Sequence, residues 1–417
     1  MNTEELIQSV RKARQASSQL ALLSGWERNG LLQSFHDELL KQKKQLLEVN
    51  ARDLQKAGDY GLSEAMVERL TLSEKRIEEI AEGAAQLIQL PDPCGRTLKR
   101  WTLPNGLDII RTSVPFGVIA MIYESRPNVT ADAAALCLKS GNACVLRGGK
   151  EAHFTNEAMT DILHEVLRGA GVEEAAVTSI LDPDRSLVHT LLTLRGLIDL
   201  VIPRGGAGLI RSVVETSTVP VIETGSGVCH TYVDKDADLA KALPVIVNAK
   251  TQRPSVCNAM ETLLIHQQIA PECIASVFPA LRAKGVEIRG DERVQALDPS
   301  VLPAVQEDWS TEYGALILSV SIVDSLEDAI AHIRKYSTGH SECIMSENKK
   351  TIRKFMNSID AACVYANAST RFTDGFEFGF GAEIGISTQK LHVRGPVGLE
   401  QLVTYKYKIF GNGQIRE

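Results

Sequence analysis

The sequence predicts an α/β chain with parallel sheets, divided into roughly two or three domains. Three observations carry that expectation. The chain has 417 residues, more than a single hydrophobic core serves. Its composition, 44% hydrophobic and 23% charged, is that of an ordinary globular protein. From Val114 onwards, short apolar runs alternate with helical stretches, the texture of βαβ units.

Residues 1–90 read as helices. Asn2 or Thr3 can cap a helix whose apolar face runs through Leu6, Val10 and Ala13 towards Leu20. Thr71, with Glu74 three residues later, has the capping-box pattern for a helix that must stop before Pro91. Asn105-Gly106, between two runs of β character, signals a hairpin. Strands are then predicted at 118–123, 143–146, 198–202, 219–222, 262–266, 315–320 and 363–367, and helices at 129–139 and 155–169. The tail LEQLVTYKYKIFGNGQIRE reads as an edge strand without its own core, of the kind that adds to a neighbouring sheet or a partner subunit.

Several function classes are disfavoured. The net charge is −7 and no basic run would track a nucleic-acid backbone. The longest apolar run, near Val114 to Tyr123, is far shorter than the roughly 18 to 20 residues of a membrane helix. The charged N-terminus does not resemble a signal peptide, so a cytoplasmic location is expected. Eight scattered cysteines without a CxxC pair do not suggest disulfides. Nine histidines without metal-ligand spacing leave no metal predicted.

Four constellations could carry chemistry. Cys257 lies in AKTQRPSVCNAMETLLIH, before a strand-like run. Most cysteines are inert small hydrophobes. Cys257 differs in its polar, loop-like segment, in the nearby cations Lys250 and Arg253, and in the adjacent amide of Asn258. Positive neighbours raise the thiolate fraction. Glu223, in VIETGSGVCHTYVD, ends an apolar run and precedes two glycines; it reads either as a solvated acid before a turn or as a site residue at a strand's C-terminal edge. Arg147-Gly148-Gly149-Lys150, where a strand exits into a helix, joins two cations to permissive glycines and suits phosphate. Arg126, before a proline, is a second anion anchor unless it is simply solvated. The block from Asn367 to Tyr407 is dense in glycine, aromatics and polar residues, as functional loops are. No GxGxxG is present; PRGGAGLIR, with Gly205 and Gly206, is either a plain tight turn or a phosphate-binding one.

Taken together and in this order, VPFGVIAMIYESRPNVTADAAALCLKSGNACVLRGGKEA, VIETGSGVCHTYVD, AKTQRPSVCNAMETLLIH, NASTRFTDGFEFGFGAEIGISTQK and HVRGPVGLEQLVTYKY resemble the motifs of the gamma-glutamyl phosphate reductase family, within the aldehyde dehydrogenase superfamily. The resemblance covers nearly the whole chain. It implies an aldehyde dehydrogenase-like fold: a Rossmann-variant cofactor domain, an α/β catalytic domain and a β oligomerisation arm. It implies an NADP-binding domain over 1–224, with hairpin 97–113 joining the arm. A catalytic domain over 225–366, a substrate-site loop over 367–390 returning to the cofactor domain, and an oligomerisation strand over 391–417 complete the expected division.

The implied reaction is NADPH-dependent reduction of L-glutamyl 5-phosphate to L-glutamate 5-semialdehyde and phosphate, a step of proline biosynthesis. The alternative is a non-phosphorylating NAD(P)-dependent aldehyde dehydrogenase. By resemblance Cys257 matches the catalytic thiol and Glu223 the superfamily's strand-end glutamate, here a proton shuttle or structural partner rather than a driver of hydrolysis. Arg147 falls where relatives bind the adenosine ribose and phosphate. Lys150 falls where NAD-preferring relatives carry a glutamate, and a cation there suits a 2′-phosphate. Glu312 matches the glutamate that holds the nicotinamide ribose. The superfamily's oxyanion asparagine would fall at Glu124 or Ser125, neither of which is Asn; the Cys257 backbone N–H and Asn258 are the expected substitutes. Arg126, Arg253, Arg371 and Arg394 are the expected partners of the substrate's anionic groups. A homo-oligomer is expected, and the resemblance admits a transient association with glutamate 5-kinase.

Overall fold

The computed structural model describes residues 1–62, 64–124 and 126–416. The chain divides into two compact units. The first comprises Met1–Glu223, Gly379–Gly385 and Val397–Glu417, and the second Thr224–Phe378 and Ile386–Pro396. The segment expected as one loop over 367–390 is thus shared between them.

The first unit opens with helices. Asn2 caps Thr3–Leu20 through a reciprocal pair with Glu5, and Ser24 and Glu27 repeat the device at Gly25–Lys41. Leu6, Val10, Ala13 and Leu20 are all fully buried, as their spacing requires. The capping box expected at Thr71 is not formed. Ser73, adjacent to the helix Glu74–Gln89, is its N-cap and accepts from the Arg76 N–H. Thr71 Oγ1 instead donates to the Val67 carbonyl at 2.7 Å and closes the preceding helix.

Four parallel strands form the first unit's central sheet, in the order Val177–Ser179, Ala143–Arg147, Val118–Tyr123, Leu200–Arg204. Val118–Tyr123 is buried along its whole length, which is why it reads as an unbroken apolar run. The chain winds outwards from that strand in one direction and then returns to its other side. A switch point therefore lies between Tyr123 and Arg204, at the strands' C-terminal ends. The strand expected at 219–222 is reduced to an isolated bridge, Val201 to Val221. The hairpin forms as expected, Thr97–Thr102 against Asp108–Pro115, with Gly106 at a φ of +86°. Val403–Phe410 pairs antiparallel with Asp108–Pro115 over eight residues, making a three-stranded sheet.

The second unit holds seven parallel strands. Their order is Leu302–Pro303, Glu287–Gly290, Ile317–Val323, Met260–His266, Cys229–Val233, Ser341–Met345, Cys363–Ala366. Met260–His266 and Ser341–Met345 are buried at every position. Two of the central strands, Cys229–Val233 and Ser341–Met345, escape the apolar-run criterion because they bury polar groups. The His230 N–H donates to Glu342 Oε2 at 2.9 Å, and His230 Nδ1 lies 3.1 Å from the same oxygen. Among the described residues no helix is long and apolar enough to cross a membrane.

Candidate active site

Cys257 lies in the second unit, in the loop between the helix Leu239–Thr251 and the strand Met260–His266. The loop therefore meets the sheet at the strands' N-terminal edge. Segments entering three neighbouring strands meet there. A Cβ added at Gly227, just before Cys229–Val233, would overlap the Cys257 carbonyl, so glycine is required for this close approach. Cys229 Sγ donates to the same carbonyl at 3.2 Å. The Val228 N–H donates to Thr338 Oγ1 at 3.1 Å, tying in the segment before Ser341–Met345. Buried in this edge, Cys229 has its thiol pKa pushed far above the usual range by desolvation, and His340 has its imidazole pulled down to about 4 for the same reason. Cys257 is only half-buried.

The loop is sutured to the C-terminal block. Asn258 Nδ2 donates to the Thr373 carbonyl at 2.8 Å and more weakly to that of Arg371 at 3.4 Å. Thr370 Oγ1 returns a bond to the Asn258 carbonyl at 2.8 Å, and Arg371 Nε donates to Gln252 Oε1 at 2.9 Å. Both amide hydrogens of Asn258 are thus committed to backbone carbonyls, which leaves its side chain nothing to donate to an oxyanion. Gln252 and Thr370, absent from the residues expected at the site, complete the suture; a polar residue in a loop carries no sequence signal for such a partner.

These bonds hold Arg371 within electrostatic reach of Cys257 and of Arg253. Burial lowers the Arg371 pKa; Asp374 opposes that shift and the Arg253 charge adds to it. Arg394 has a different setting. Its Nη1 lies 2.6 Å from Asp360 Oδ1, its Nη2 donates to the Asp360 carbonyl at 3.0 Å, and Lys390 binds the other carboxylate oxygen at 2.6 Å. The two cations, Lys390 first, hold the Asp360 carboxyl down at about 2. Glu312 accepts the Gly227 N–H, next to the thiol loop. Lys250 is paired with Glu261 at 2.5 Å, with both side chains buried, rather than lying open beside the thiol.

In the first unit the glycine-rich turn sits at the switch point. Gly206 caps the helix Ala207–Thr216, and its N–H donates to Glu124 Oε2 at 2.9 Å. A Cβ at Gly205 would strike the same carboxylate. Ser125, the other expected oxyanion position, lies outside the described residues. Glu223 is half-buried and directly follows the bridged segment. Arg126 precedes the helix Pro127–Lys139 and lines a cavity of about 50 Å³ with Asn128, Asp132, Arg204 and Glu383.

The expected phosphate cradle at 147–150 is built differently from its sequence reading. The helix His153–Gly169 that follows is already capped by Asp53, whose carboxylate accepts from the N–H groups of Phe154 at 3.1 Å and Thr155 at 2.8 Å. That helix terminus therefore has no free amides to offer at those two positions. Arg147 folds back onto the Gly148 and Pro183 carbonyls, both at 3.0 Å. Gly148 is a packing glycine, since a Cβ there would overlap Asn156. A Cβ at Gly149 would overlap the Glu151 carboxylate. Lys150 remains an exposed cation, 4.8 Å from the Tyr60 ring centroid. Among the described residues no three His, Cys, Asp or Glu side chains gather as a metal site.

Comparison with known proteins agrees with this architecture. The aldehyde dehydrogenase family model matches residues 1–296. A gamma-glutamyl phosphate reductase of Moorella thermoacetica is 54% identical over 406 residues, 97% of each chain. One from Carboxydothermus hydrogenoformans is 54% identical over 413 residues, 99% of this chain and 100% of that one. A crystal structure of gamma-glutamyl phosphate reductase from Thermotoga maritima superimposes with a TM-score of 0.97 at 48% identity, covering 99% of this chain and 100% of that one. With the family model matching residues 1–296 and relatives 54% identical over nearly the whole chain, the chain belongs to the gamma-glutamyl phosphate reductase family of the aldehyde dehydrogenases.

Proposed function

We propose that the chain reduces L-glutamyl 5-phosphate to L-glutamate 5-semialdehyde and phosphate, a step of proline biosynthesis, using NADPH and a thioester on Cys257. The relatives' names identify the reaction class. The observation that carries the mechanism is the suture that holds Arg371, with Arg253 nearby, at the Cys257 loop. Two guanidiniums within reach of one another repel, and a dianion between them relieves that repulsion.

The Cys257 thiolate, its proton already lost, attacks the acyl carbon, the carbon–oxygen bond to phosphate breaks, and the electron pair leaves with phosphate. Arg371 and Arg253 hold the departing group. The oxyanion role falls to the Cys257 backbone N–H, because the Asn258 amide is spent on carbonyls. Arg126 is a candidate for the substrate's α-carboxylate. Arg394, already paired with Asp360, is assigned to holding its own segment.

The residues at the first sheet's switch point fit a dinucleotide. Gly205 and Gly206 present backbone without side chains, and Lys150 is an exposed cation just beyond a strand end. Lys150 and Arg147 would hold the adenosine ribose and its 2′-phosphate, and Glu312 the nicotinamide ribose. NADPH, when bound, supplies the hydride. Glu223 is assigned a proton-shuttling or structural role, since hydrolysis of the thioester would waste the intermediate.

Self-association is proposed through the three-stranded sheet, where Tyr405, Tyr407 and Ile409 are 50 to 59% exposed. A transient association with glutamate 5-kinase belongs to the same proposal, because direct transfer would shield the labile acyl phosphate from water.

The decisive experiment runs the reaction backwards. With glutamate semialdehyde and NADP, turnover should saturate with phosphate, fall to a single-turnover burst without it, and revive with arsenate. Sustained turnover in phosphate-free buffer with free glutamate as product would establish the hydrolytic reading instead.

A further inference from the structure

We infer that Lys250 and Glu261 form a buried positioning pair that fixes the Cys257 loop and sets its electrostatic surroundings, a role that rests on Cys257 being the nucleophile. Lys250 is in the last turn of the helix Leu239–Thr251, and Glu261 is the second residue of the strand Met260–His266. The loop bearing Cys257 runs between them. Their 2.5 Å contact therefore closes the loop at its two ends, with the side chains 0% and 1% exposed.

Backbone register supports a dedicated role. Cys229 pairs with Met260 and His230 with Thr262, so the register shifts at this step and Glu261 is the extra residue. A bulge of this kind re-aims a side chain that regular pleating would send elsewhere. The pair is also wired to the site through groups that touch the loop. Lys250 lies within electrostatic reach of Cys229, whose thiol donates to the Cys257 carbonyl. Its Nζ is 5.8 Å from the Tyr313 ring centroid. Glu261 lies within reach of Glu312, which accepts the N–H of Gly227, and Gly227 abuts the same Cys257 carbonyl.

Stability alone does not account for such a pair. Desolvation pushes the Glu261 carboxyl up to about 7 and pulls the Lys250 ammonium down, so burial opposes both charges. Two apolar side chains of similar volume commonly hold such a position as well or better, whereas a half-broken pair is costly. A charged pair at both ends of the nucleophile's loop provides what two apolar residues cannot: a fixed geometry and a fixed local field.

The test uses the full chain. Cys257→Ser comes first and must abolish turnover; if turnover survives, the nucleophile reading falls independently of the pair. Lys250→Met combined with Glu261→Met removes both charges together. That double variant should keep its thermal midpoint and its NADPH dissociation constant while kcat falls by about 10-fold or more, as small misplacements of a reacting group do. A folded double variant with kcat within about threefold of the parent would overturn the positioning role. If the double variant does not fold, Lys250→Arg, which keeps the charge but alters its reach, supplies the same kcat readout.

The single variants address the field. Lys250→Met removes the buried cation and leaves a carboxyl whose charge burial already opposes, so loss of the positive charge should raise the pH midpoint for iodoacetamide alkylation of Cys257. Glu261→Gln leaves Lys250 unopposed and should lower it. Each shift should be about half a pH unit or more, with Arg253, Arg371, Cys229, Glu312 and Tyr313 intact in both variants. Superimposable profiles would overturn the electrostatic role.

Discussion

Arg371→Ala isolates the proposed anion pocket. Arg371 Nε is fixed by Gln252 at 2.9 Å, and its backbone carbonyl and that of Thr373 receive the Asn258 amide. Truncation at Cβ spares both backbone bonds, so the Cys257 loop should keep its suture. What is lost is one guanidinium with lowered pKa in a half-buried setting near a second cation. A hydrogen bond to a charged group contributes about 1.5 to 3 kcal/mol. At about 1.4 kcal/mol per factor of ten, that corresponds to a rise of roughly 10- to 150-fold in the KM for phosphate. The assay is NADP reduction with glutamate semialdehyde at varied phosphate, with NADP affinity measured separately by fluorescence. NADP binding should not move. Gln252→Leu keeps the charge and removes only its tether, so its KM should rise less. A KM for phosphate within about twofold of the parent in folded Arg371→Ala would refute the pocket, because the removed interaction cannot be worth under roughly half a kcal/mol if it holds a dianion.

Other outcomes follow from the same geometry. Cys257→Ser should abolish turnover with NADPH binding intact, while Cys137→Ser, at a fully buried helical position, should retain most activity if it folds; equal losses in both folded variants would remove Cys257's special status. Gly227→Ala forces a methyl into the Cys257 carbonyl, so the loop must shift and kcat/KM should fall about 100-fold, with unchanged activity as the contrary result. Lys150→Glu should weaken NADPH far more than NADH in direct titrations, and equal weakening would show that Lys150 does not read the 2′-phosphate. Deleting 400–417 removes the strand paired with Asp108–Pro115 and should give a lower mass or aggregation by light scattering; an unchanged oligomer would contradict the proposed self-association.

Elements with a one-sided or unbroken apolar pattern were legible in advance. Val118–Tyr123 and the first helix are such cases, because their burial follows directly from local sequence. The misread capping box shows the limit of local patterns. Thr71 and Ser73 both precede Glu74 and both have suitable hydroxyls, and only the end of the preceding helix, which recruits Thr71, decides between them. Cys229–Val233 and Ser341–Met345 are not legible as apolar runs because His230 and Glu342 hydrogen-bond to each other inside the sheet, a partnership between residues 112 apart in the chain.

By itself the sequence determined the α/β class, the hairpin, the blocks that carry the chemistry and the family those blocks belong to. These are properties of contiguous segments, where periodicity, turn residues and residue order are written along the chain. Only the tertiary structure decided which polar groups answer one another. It paired Arg394 with Asp360 and left Arg371 within electrostatic reach of Cys257. It committed the Asn258 amide to carbonyls, capped the helix at His153 with Asp53, and joined Lys250 to Glu261. A hydrogen bond or ion pair depends on distance and burial between segments remote in sequence, and desolvation makes those pairings obligatory only once the chain has packed.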